Sequence, residues 1–121
     1  MITVILDTNA LMMPFQFGVN LDLELERLFG SFEILVPSPV VRELRSLAPT
    51  NGTARSALRL AKKYKTVESE GETDKVLVDL AKDLHAVVVS NDKLVIRSLE
   101  REGLPYVRLR SRSHLILEGS L

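Results

Sequence analysis

Apolar residues fall into short runs, separated by longer stretches that carry a helical stripe of apolar positions. Three of the runs predict buried parallel strands, because a strand covered on both faces is apolar at most of its positions. These runs are Ile2–Leu6, Ala86–Val89 and Pro105–Leu109. Glu33–Val36 predicts a shorter strand, and His114–Leu117 is ambiguous, with a final edge strand as one interpretation.

The stretches between the runs predict helices with recognisable start and stop signals. Ser38 is expected to cap one helix, with Pro39 at its first position, and Thr73 to cap another. The predicted helices are Leu21–Phe29, Pro39–Leu47, Thr53–Tyr64, Asp74–Leu84 and Lys93–Glu102. Leu11–Gly18 is predicted to be a loop, because Pro14 interrupts regular structure. The alternation of strands and helices predicts an α/β fold, with a parallel sheet covered by helices.

Length and composition limit the class of protein. A chain of 121 residues, 45% of them hydrophobic, is sufficient for one ordinary domain spanning residues 1–121. The chain has no cysteine, which excludes disulfides and thiolate zinc sites. No apolar run approaches the roughly 20 residues of a membrane helix, and no basic residue precedes the first strand as it would in a secretory signal. These features favour an intracellular, cytoplasmic protein.

The formal net charge is zero, but the charges are segregated along the chain. Residues 42–65 carry seven basic side chains and one acidic, whereas residues 1–41 carry five acidic and one basic. Residues 66–83 are acidic again, with six acids and two lysines. The basic segment can attract a polyanion locally. The simpler interpretation, that it is only the solvated face of a helix, stays open.

Two acidic residues follow the two most apolar strands. Asp7 comes directly after Ile2–Leu6, and Asp92 follows Ala86–Val89 after two polar residues. In open α/β sheets, ligands bind beyond the carboxyl ends of strands, where the strand order reverses. If the two strands are neighbours, Asp7 and Asp92 face the same crevice. Either acid alone is more commonly a helix cap or a turn residue.

Glu43 and Asp74 are two further acidic candidates. Glu43 lies at the margin of the apolar stripe of its helix, where a carboxylate needs an arginine, water or a metal cation as partner. Asp74 opens a later helix, where the helix dipole favours an acid without any further role. Four carboxylates gathered together repel one another unless a cation neutralises them. With oxygen ligands only, that cation is expected to be Mg²⁺ or Mn²⁺, and the chemistry phosphodiester hydrolysis.

These residues, in this order, resemble the motifs of the PIN-domain nucleases. The motifs are Asp7-Thr8-Asn9 after the first strand, Val41-Arg42-Glu43-Leu44 in a helix, Asp74 at a helix start and Ser90-Asn91-Asp92 after a later strand. The resemblance covers nearly the whole chain. It implies a three-layer fold in which about five parallel strands are flanked by helices, and it implies Mg²⁺- or Mn²⁺-dependent endoribonuclease activity.

The resemblance also implies a role for each matching residue. The implied catalytic metal ligands are Asp7, Glu43, Asp74 and Asp92, and Asn9 and Ser90 are the implied groups that orient those carboxylates. Met13–Gly18 and Ser90–Lys93 look most like the archaeal relatives of ribosomal-RNA-processing PIN proteins. That branch often has two adjacent aspartates at the third motif, where this chain has Thr73-Asp74. If the site requires the first aspartate, Thr73 in its place would weaken metal binding and activity.

Basic and aromatic residues are expected to bind the RNA. The candidate backbone-binding residues are Arg55, Arg59, Lys62, Lys63 and Arg110. Phe15 and Phe17 are candidates for stacking on unpaired bases, so single-stranded RNA is the expected partner. The competing interpretation places both phenylalanines in the core or in an oligomer contact, and the apolar Leu11–Phe17 segment is compatible with a homodimer.

Three alternatives to a ribosomal-RNA-processing ribonuclease stay open. The first is the toxin ribonuclease of a toxin–antitoxin pair, which has the same chemistry. The second is a non-catalytic RNA-binding or assembly subunit, which Thr73 would favour. The third is a phosphotransfer domain, such as a response-regulator receiver or a haloacid-dehalogenase-like phosphatase. The phosphatase would have an aspartate where Asn9 stands.

Overall fold

The computed structural model describes residues 1–121 and contains one six-stranded sheet. The strands are β1 (Ile2–Leu6), β2 (Phe32–Pro37), β3 (Lys65–Val67), β4 (Val87–Val89), β5 (Tyr106–Arg110) and β6 (His114–Glu118), in the spatial order β3-β2-β1-β4-β5-β6. The first five are parallel, and β6 runs antiparallel to β5 along one edge. The predicted parallel sheet is confirmed, and β6 adds an antiparallel strand to it.

Six α-helices cover the two faces of the sheet. They are α1 (Thr8–Phe17), α2 (Leu21–Phe29), α3 (Ser38–Leu47), α4 (Gly52–Ala61), α5 (Thr73–Leu84) and α6 (Lys93–Arg101). Alternate residues of β1 show the layers, because Val4 and Leu6 pack with α1 to α4, whereas Ile5 packs with α5 and α6. The three-layer α/β arrangement is therefore confirmed. No helix has the length and apolar character required to cross a membrane.

The predicted loop over Leu11–Gly18 is wrong, because this segment forms the greater part of α1. Pro14 lies inside the helix, where it removes one backbone donor. Leu11 and Met13 are nonetheless fully buried in the larger core, and this burial outweighs the local cost of the proline. The helix ends at Gly18, which adopts a left-handed conformation with φ of 70° and donates its amide to the Pro14 carbonyl at 3.0 Å.

Neither predicted N-cap acts as a cap. Ser38 is the first residue of α3, after Pro37, and its hydroxyl bonds the backbone of Ser69 instead of the start of its own helix. α5 begins at Thr73 itself, and the preceding Glu72 makes no capping hydrogen bond through its side chain. At α3 a tertiary partner has replaced the local one, whereas α5 begins without any side-chain cap.

The basic helix is shorter than predicted. α4 ends at Ala61 rather than at Tyr64, because the chain turns there to enter β3. The sequence pattern missed β3, since its Lys65 and Thr66 are exposed and it has no apolar alternation. It is a strand only because it pairs with β2, in a ladder that ends at Pro37 and Val67.

The reversal of strand order lies between β1 and β4. β1 pairs with β2 on one side and with β4 on the other, and Leu6 stands beside Val89 in the register. The chain leaves both strands at the same edge, so Asp7 and the Ser90–Asp92 segment emerge next to each other. This is the crevice in which open α/β sheets bind their ligands.

Candidate metal centre

Asp7 is the most buried acidic side chain of the crevice, with 4% of its surface exposed. Its Oδ1 accepts a hydrogen bond of 2.7 Å from the Ala10 amide and so caps α1. The interpretation of this residue as a helix cap is therefore correct. The cap also fixes the carboxylate at the carboxyl end of the central strand.

Asp92 has the equivalent position after β4. Its Oδ1 accepts hydrogen bonds from the amides of Leu94, at 2.8 Å, and Val95, at 3.4 Å, and caps α6. The other carboxylate oxygen makes no hydrogen bond within the protein, and the side chain is exposed. One oxygen of Asp92 is therefore free to bind a ligand while the other holds the residue in place.

Asn9 and Ser90 tie the two acidic segments together. Asn9 Oδ1 accepts a 2.9 Å hydrogen bond from the Asn91 amide, and Ser90 Oγ accepts one of 3.0 Å from the Asp92 amide. The fully buried Ser90 hydroxyl also hydrogen-bonds the Asp7 carboxylate. Asn9 thus acts on the loop that carries Asp92, whereas Ser90 contacts both segments.

Glu43 and Asp74 come from α3 and α5, on opposite faces of the sheet. Glu43 is exposed and Asp74 is half-buried. None of the four acids forms an ion pair. The three ion pairs of the molecule are Glu24–Arg27, Lys82–Glu102 and Arg108–Glu118. The alternative in which Glu43 is neutralised by a nearby arginine is not observed.

All four predicted acids line one cavity of about 250 Å³. Thr8, Asn9 and Thr73 add neutral polar groups to its wall, and no lysine or arginine lines it. A cavity with four carboxyl groups and no basic side chain has a negative potential when these groups are ionised. Such a cavity attracts cations.

Burial raises the pKa of Asp7 from its ordinary value of 3.8 to about 7. Hydrogen bonds from the Ser90 hydroxyl and the Ala10 amide lower this pKa, and the charges of Asp92 and Glu43 raise it. The pKa of Asp74 is also raised, first by desolvation and then by the charges of Asp92 and Glu72. The carboxyl groups therefore repel one another across the cavity, and a cation would relieve that repulsion.

The donor set fits a hard divalent cation. It consists of carboxylate, hydroxyl and amide oxygens, the ligands that Mg²⁺ and Mn²⁺ prefer. Thr8 Oγ1 is a buried hydroxyl oxygen in the cavity wall without any hydrogen-bond partner, so a polar group is available for a ligand or its water. No three acidic or histidine side chains are arranged to hold a metal ion together as they stand. Metal binding at this cavity would thus require the acids to move closer together.

The sequence from residue 4 to residue 112 matches the family description of a PIN-like domain. This match spans most of the 121 residues. The chain belongs to the PIN-like domain family.

Two archaeal ribonucleases are similar to this PIN-like domain along their lengths. Ribonuclease VapC4 of Methanocaldococcus jannaschii is 30% identical, with 98% of each chain covered. Ribonuclease VapC9 of Archaeoglobus fulgidus is 29% identical, with 94% of this chain and 87% of the relative covered.

Solved structures share the fold. The PIN domain endonuclease Utp24 superposes with a TM-score of 0.84 at 21% identity, covering 98% of this chain and 92% of that one. A domain of a functionally unknown protein from Methanocaldococcus jannaschii superposes with a TM-score of 0.66 at 16% identity, covering 92% and 93% of the two chains. At these identities the likeness concerns the fold.

Two residues of the PIN-like site were not identified from sequence. Thr8 has no signal of its own in the sequence, because its unpaired hydroxyl is notable only once the cavity forms around it. Asn91 Oδ1 accepts a 2.7 Å hydrogen bond from the Leu109 amide and anchors the Ser90–Asp92 segment to β5. Sequence offers no signal for this contact, because its partner lies 18 residues away.

The predicted RNA-binding residues differ in their surroundings. Arg59, Lys62 and Lys63 are exposed and unpaired, although Lys62 and Lys63 lie beyond the end of α4. Arg55 is partly committed to structure, because its guanidinium donates to the Ala48 carbonyl at 2.8 Å. Arg110 ends β5 on the same edge of the sheet as the cavity, and it is exposed and unpaired.

Phe15 and Phe17 are not core residues. They lie at the end of α1 with 47% and 41% of their surfaces exposed. The rest of the apolar segment is internal, since Leu11 and Met13 are buried and Met12 lines the cavity. Within the Leu11–Phe17 segment, Phe15 and Phe17 are therefore the exposed apolar side chains that a base or a second copy could contact.

Proposed function

We propose that this PIN-like domain is a metal-dependent endoribonuclease that hydrolyses phosphodiester bonds with Mg²⁺ or Mn²⁺. The observation that carries the proposal is the convergence of Asp7, Glu43, Asp74 and Asp92 on one cavity without a basic partner. The names of the two archaeal relatives, both ribonucleases, support the same activity.

Each acid has a distinct part in the proposed site. Asp7 is the fixed ligand, because its cap on α1 and the Ser90 hydroxyl leave it little freedom. Asp92 would offer its free carboxylate oxygen, and Glu43 and Asp74 would supply further oxygen ligands from the helical layers on the two sides of the sheet. A divalent cation held there supplies the Lewis acidity that activates water and offsets the charge of the scissile phosphate. Thr73 leaves the set with four acids, which is sufficient for the oxygen ligands that such a cation takes from a protein.

The proposed substrate is single-stranded RNA. Two groups of basic residues would contact the sugar-phosphate backbone. One is Arg110, on the edge of the sheet that carries the cavity. The other consists of Arg59, Lys62 and Lys63, in and after α4, which packs on α1 and α3. The exposed faces of Phe15 and Phe17 would stack on unpaired bases. We propose ribosomal-RNA processing in the cytoplasm as the setting, on the sequence resemblance of the Ser90–Lys93 motif.

The test is cleavage of a mixed-sequence single-stranded RNA by the wild-type protein and by Asp7→Asn, with Mn²⁺ or with EDTA. Wild type is expected to cut only with Mn²⁺, and the variant at least about 100-fold more slowly, the upper range for loss of a group that tunes a metal site. Asp83→Asn is the matched control, because Asp83 is an exposed acid of α5 outside the cavity, and it should retain the wild-type rate.

Other outcomes separate the alternatives. Equal cutting by wild type and Asp7→Asn would contradict the proposed site. Tight RNA binding without cutting would indicate the non-catalytic RNA-binding subunit. Growth arrest on expression, relieved by a neighbouring gene, would indicate the toxin rather than ribosomal-RNA processing. If the protein forms a homodimer through Phe15 and Phe17, light scattering should give twice the monomer mass. The double variant Phe15→Ser, Phe17→Ser should then give the monomer mass.

A further inference from the structure

A buried serine links two helices that carry the proposed metal ligands. Ser38 is 5% exposed and begins α3. Its hydroxyl donates to the Ser69 carbonyl at 3.1 Å and accepts from the Ser69 amide at 2.9 Å. One side chain thus satisfies both backbone groups of a residue 31 positions further along the chain.

This contact continues the β2–β3 ladder beyond its last backbone pair. The ladder ends with Pro37 beside Val67. After these residues, β2 continues into α3, and β3 continues into the loop that leads to α5. Ser38 replaces the missing strand residue, because its hydroxyl is both a donor and an acceptor. The guanidinium of Arg42, one turn along α3, reaches the same Ser69 carbonyl at 3.4 Å.

The two ends of this link lead directly to the cavity. α3 carries Glu43 five residues after Ser38, and the loop from Ser69 reaches Thr73 and Asp74 within five residues. The first turn of α5 has no side-chain N-cap of its own. The position of Asp74 therefore depends in part on what holds the loop before it. The two partly buried Ser38 bonds contribute to holding that loop.

We propose that Ser38 is a positioning residue that sets the distance between Glu43 and Asp74 by fixing the loop before α5. The inference rests on the proposed metal-dependent function and adds a residue outside the cavity to it. The acids of the cavity are not arranged to hold a metal ion as they stand. The free-energy cost of gathering them around a cation therefore increases if the start of α5 is mobile. Holding reacting groups in place from a distance has large effects on catalysis.

The decisive variants are Ser38→Ala, which removes both bonds, and Ser38→Thr, which keeps the hydroxyl. Arg42→Ala is a milder surface variant that weakens the same anchor and keeps the inference testable if Ser38→Ala does not fold. Asn51→Ala is the matched control for stability, because it removes the N-cap of α4, a 3.0 Å bond to the Ala54 amide that lies outside the cavity wall.

The first measurement is hydrogen exchange of the metal-free protein. Ser38→Ala is expected to speed exchange of the amides over residues 69–77 by about tenfold, which corresponds to about 1.4 kcal/mol of lost local protection. Ser38→Thr and Asn51→Ala should leave this segment at the wild-type rate. The second measurement is the Mn²⁺ dissociation constant. It should rise about tenfold in Ser38→Ala and by less than about twofold in Ser38→Thr and Asn51→Ala.

Equal exchange over residues 69–77 in Ser38→Ala and Asn51→Ala would overturn the inference, as would faster exchange with wild-type Mn²⁺ affinity. A failure of the proposed function has a different signature, since the wild-type protein itself would then bind no Mn²⁺ or cut no RNA with it. Failure of the present inference leaves wild-type Mn²⁺ binding intact and makes Ser38→Ala match Asn51→Ala in amide exchange, in Mn²⁺ affinity or in both.

Discussion

At the scale of single residues, Asp7 combines a structural and a proposed chemical task. It caps α1 through the Ala10 amide, and burial raises its pKa to about 7. A side chain needed only as a cap would be at least as well served by asparagine or serine, which are neutral. The retained carboxyl group therefore costs stability in the metal-free protein, as is common at functional sites.

This cost has a defined dependence on pH. Between about pH 4 and pH 7 the unfolded chain releases the Asp7 proton while the folded chain keeps it, so the group's contribution to stability falls as the pH rises through that window. Asp7→Asn removes this loss. In urea unfolding with EDTA, the stability of the variant relative to wild type should grow by about 2 to 3 kcal/mol between pH 5 and pH 8. A difference that is the same at both pH values would contradict the raised pKa.

At the scale of elements, the edge strand β6 is held by side chains of α2. Arg27 donates to the Leu115 carbonyl at 2.6 Å, and Glu24 accepts from the Leu115 amide at 2.8 Å. Glu24 and Arg27 are themselves paired at 3.1 Å. The two side chains occupy backbone groups that would otherwise be open to pairing with another chain.

Removal of this edge contact should destabilise the fold. Glu24→Ala leaves the Leu115 amide without its acceptor and is expected to lower the free energy of unfolding by about 1 kcal/mol. Glu26→Ala is the control, because Glu26 is an exposed acid of the same helix with no side-chain partner. The same unfolding midpoint in urea for both variants would show that the contact contributes nothing.

The elements also show where prediction from sequence succeeds and fails. β1 and β4 were predictable because buried parallel strands are apolar throughout. The α1 helix was not, since Pro14 dominates the local signal while the burial of Leu11 and Met13 depends on the assembled core. β3 has no apolar pattern and exists through its pairing with β2. The gathering of the four acids was predictable from their positions after strands and in helices, whereas the contacts of Asn91 and Ser38 depend on distant partners.

At the scale of the whole molecule, a net charge of zero conceals an acidic cavity and separate basic surfaces. Arg59 and Lys62 are exposed and unpaired, whereas Lys82 is bound to Glu102 at 2.7 Å. In a plot of the logarithm of the binding constant against the logarithm of the salt concentration, each phosphate contact to a single strand contributes about 0.7 to the slope. Only unpaired basic residues on the RNA path should contribute in this way.

The basic surface can be tested through the salt dependence of RNA binding. In an Asp7→Asn background, which is expected to prevent cleavage, Arg59→Ala with Lys62→Ala should reduce the slope by about 1.4 and weaken binding to all sequences alike. Lys82→Ala should leave the slope unchanged. An unchanged slope in the double variant would show that the basic segment is only a solvated helix face and does not contact the RNA.

The most direct test of the central claim is a Mn²⁺ titration of the purified protein, followed by electron paramagnetic resonance. Wild type and Asp83→Asn are expected to bind Mn²⁺ with the same affinity, whereas Asp7→Asn, Asp74→Asn and Asp92→Asn should each weaken binding at least about tenfold. Asp74 and Asp83 are acids of the same helix, and only the first lines the cavity. Binding of Mn²⁺ by the three cavity variants as tight as in wild type would contradict the account.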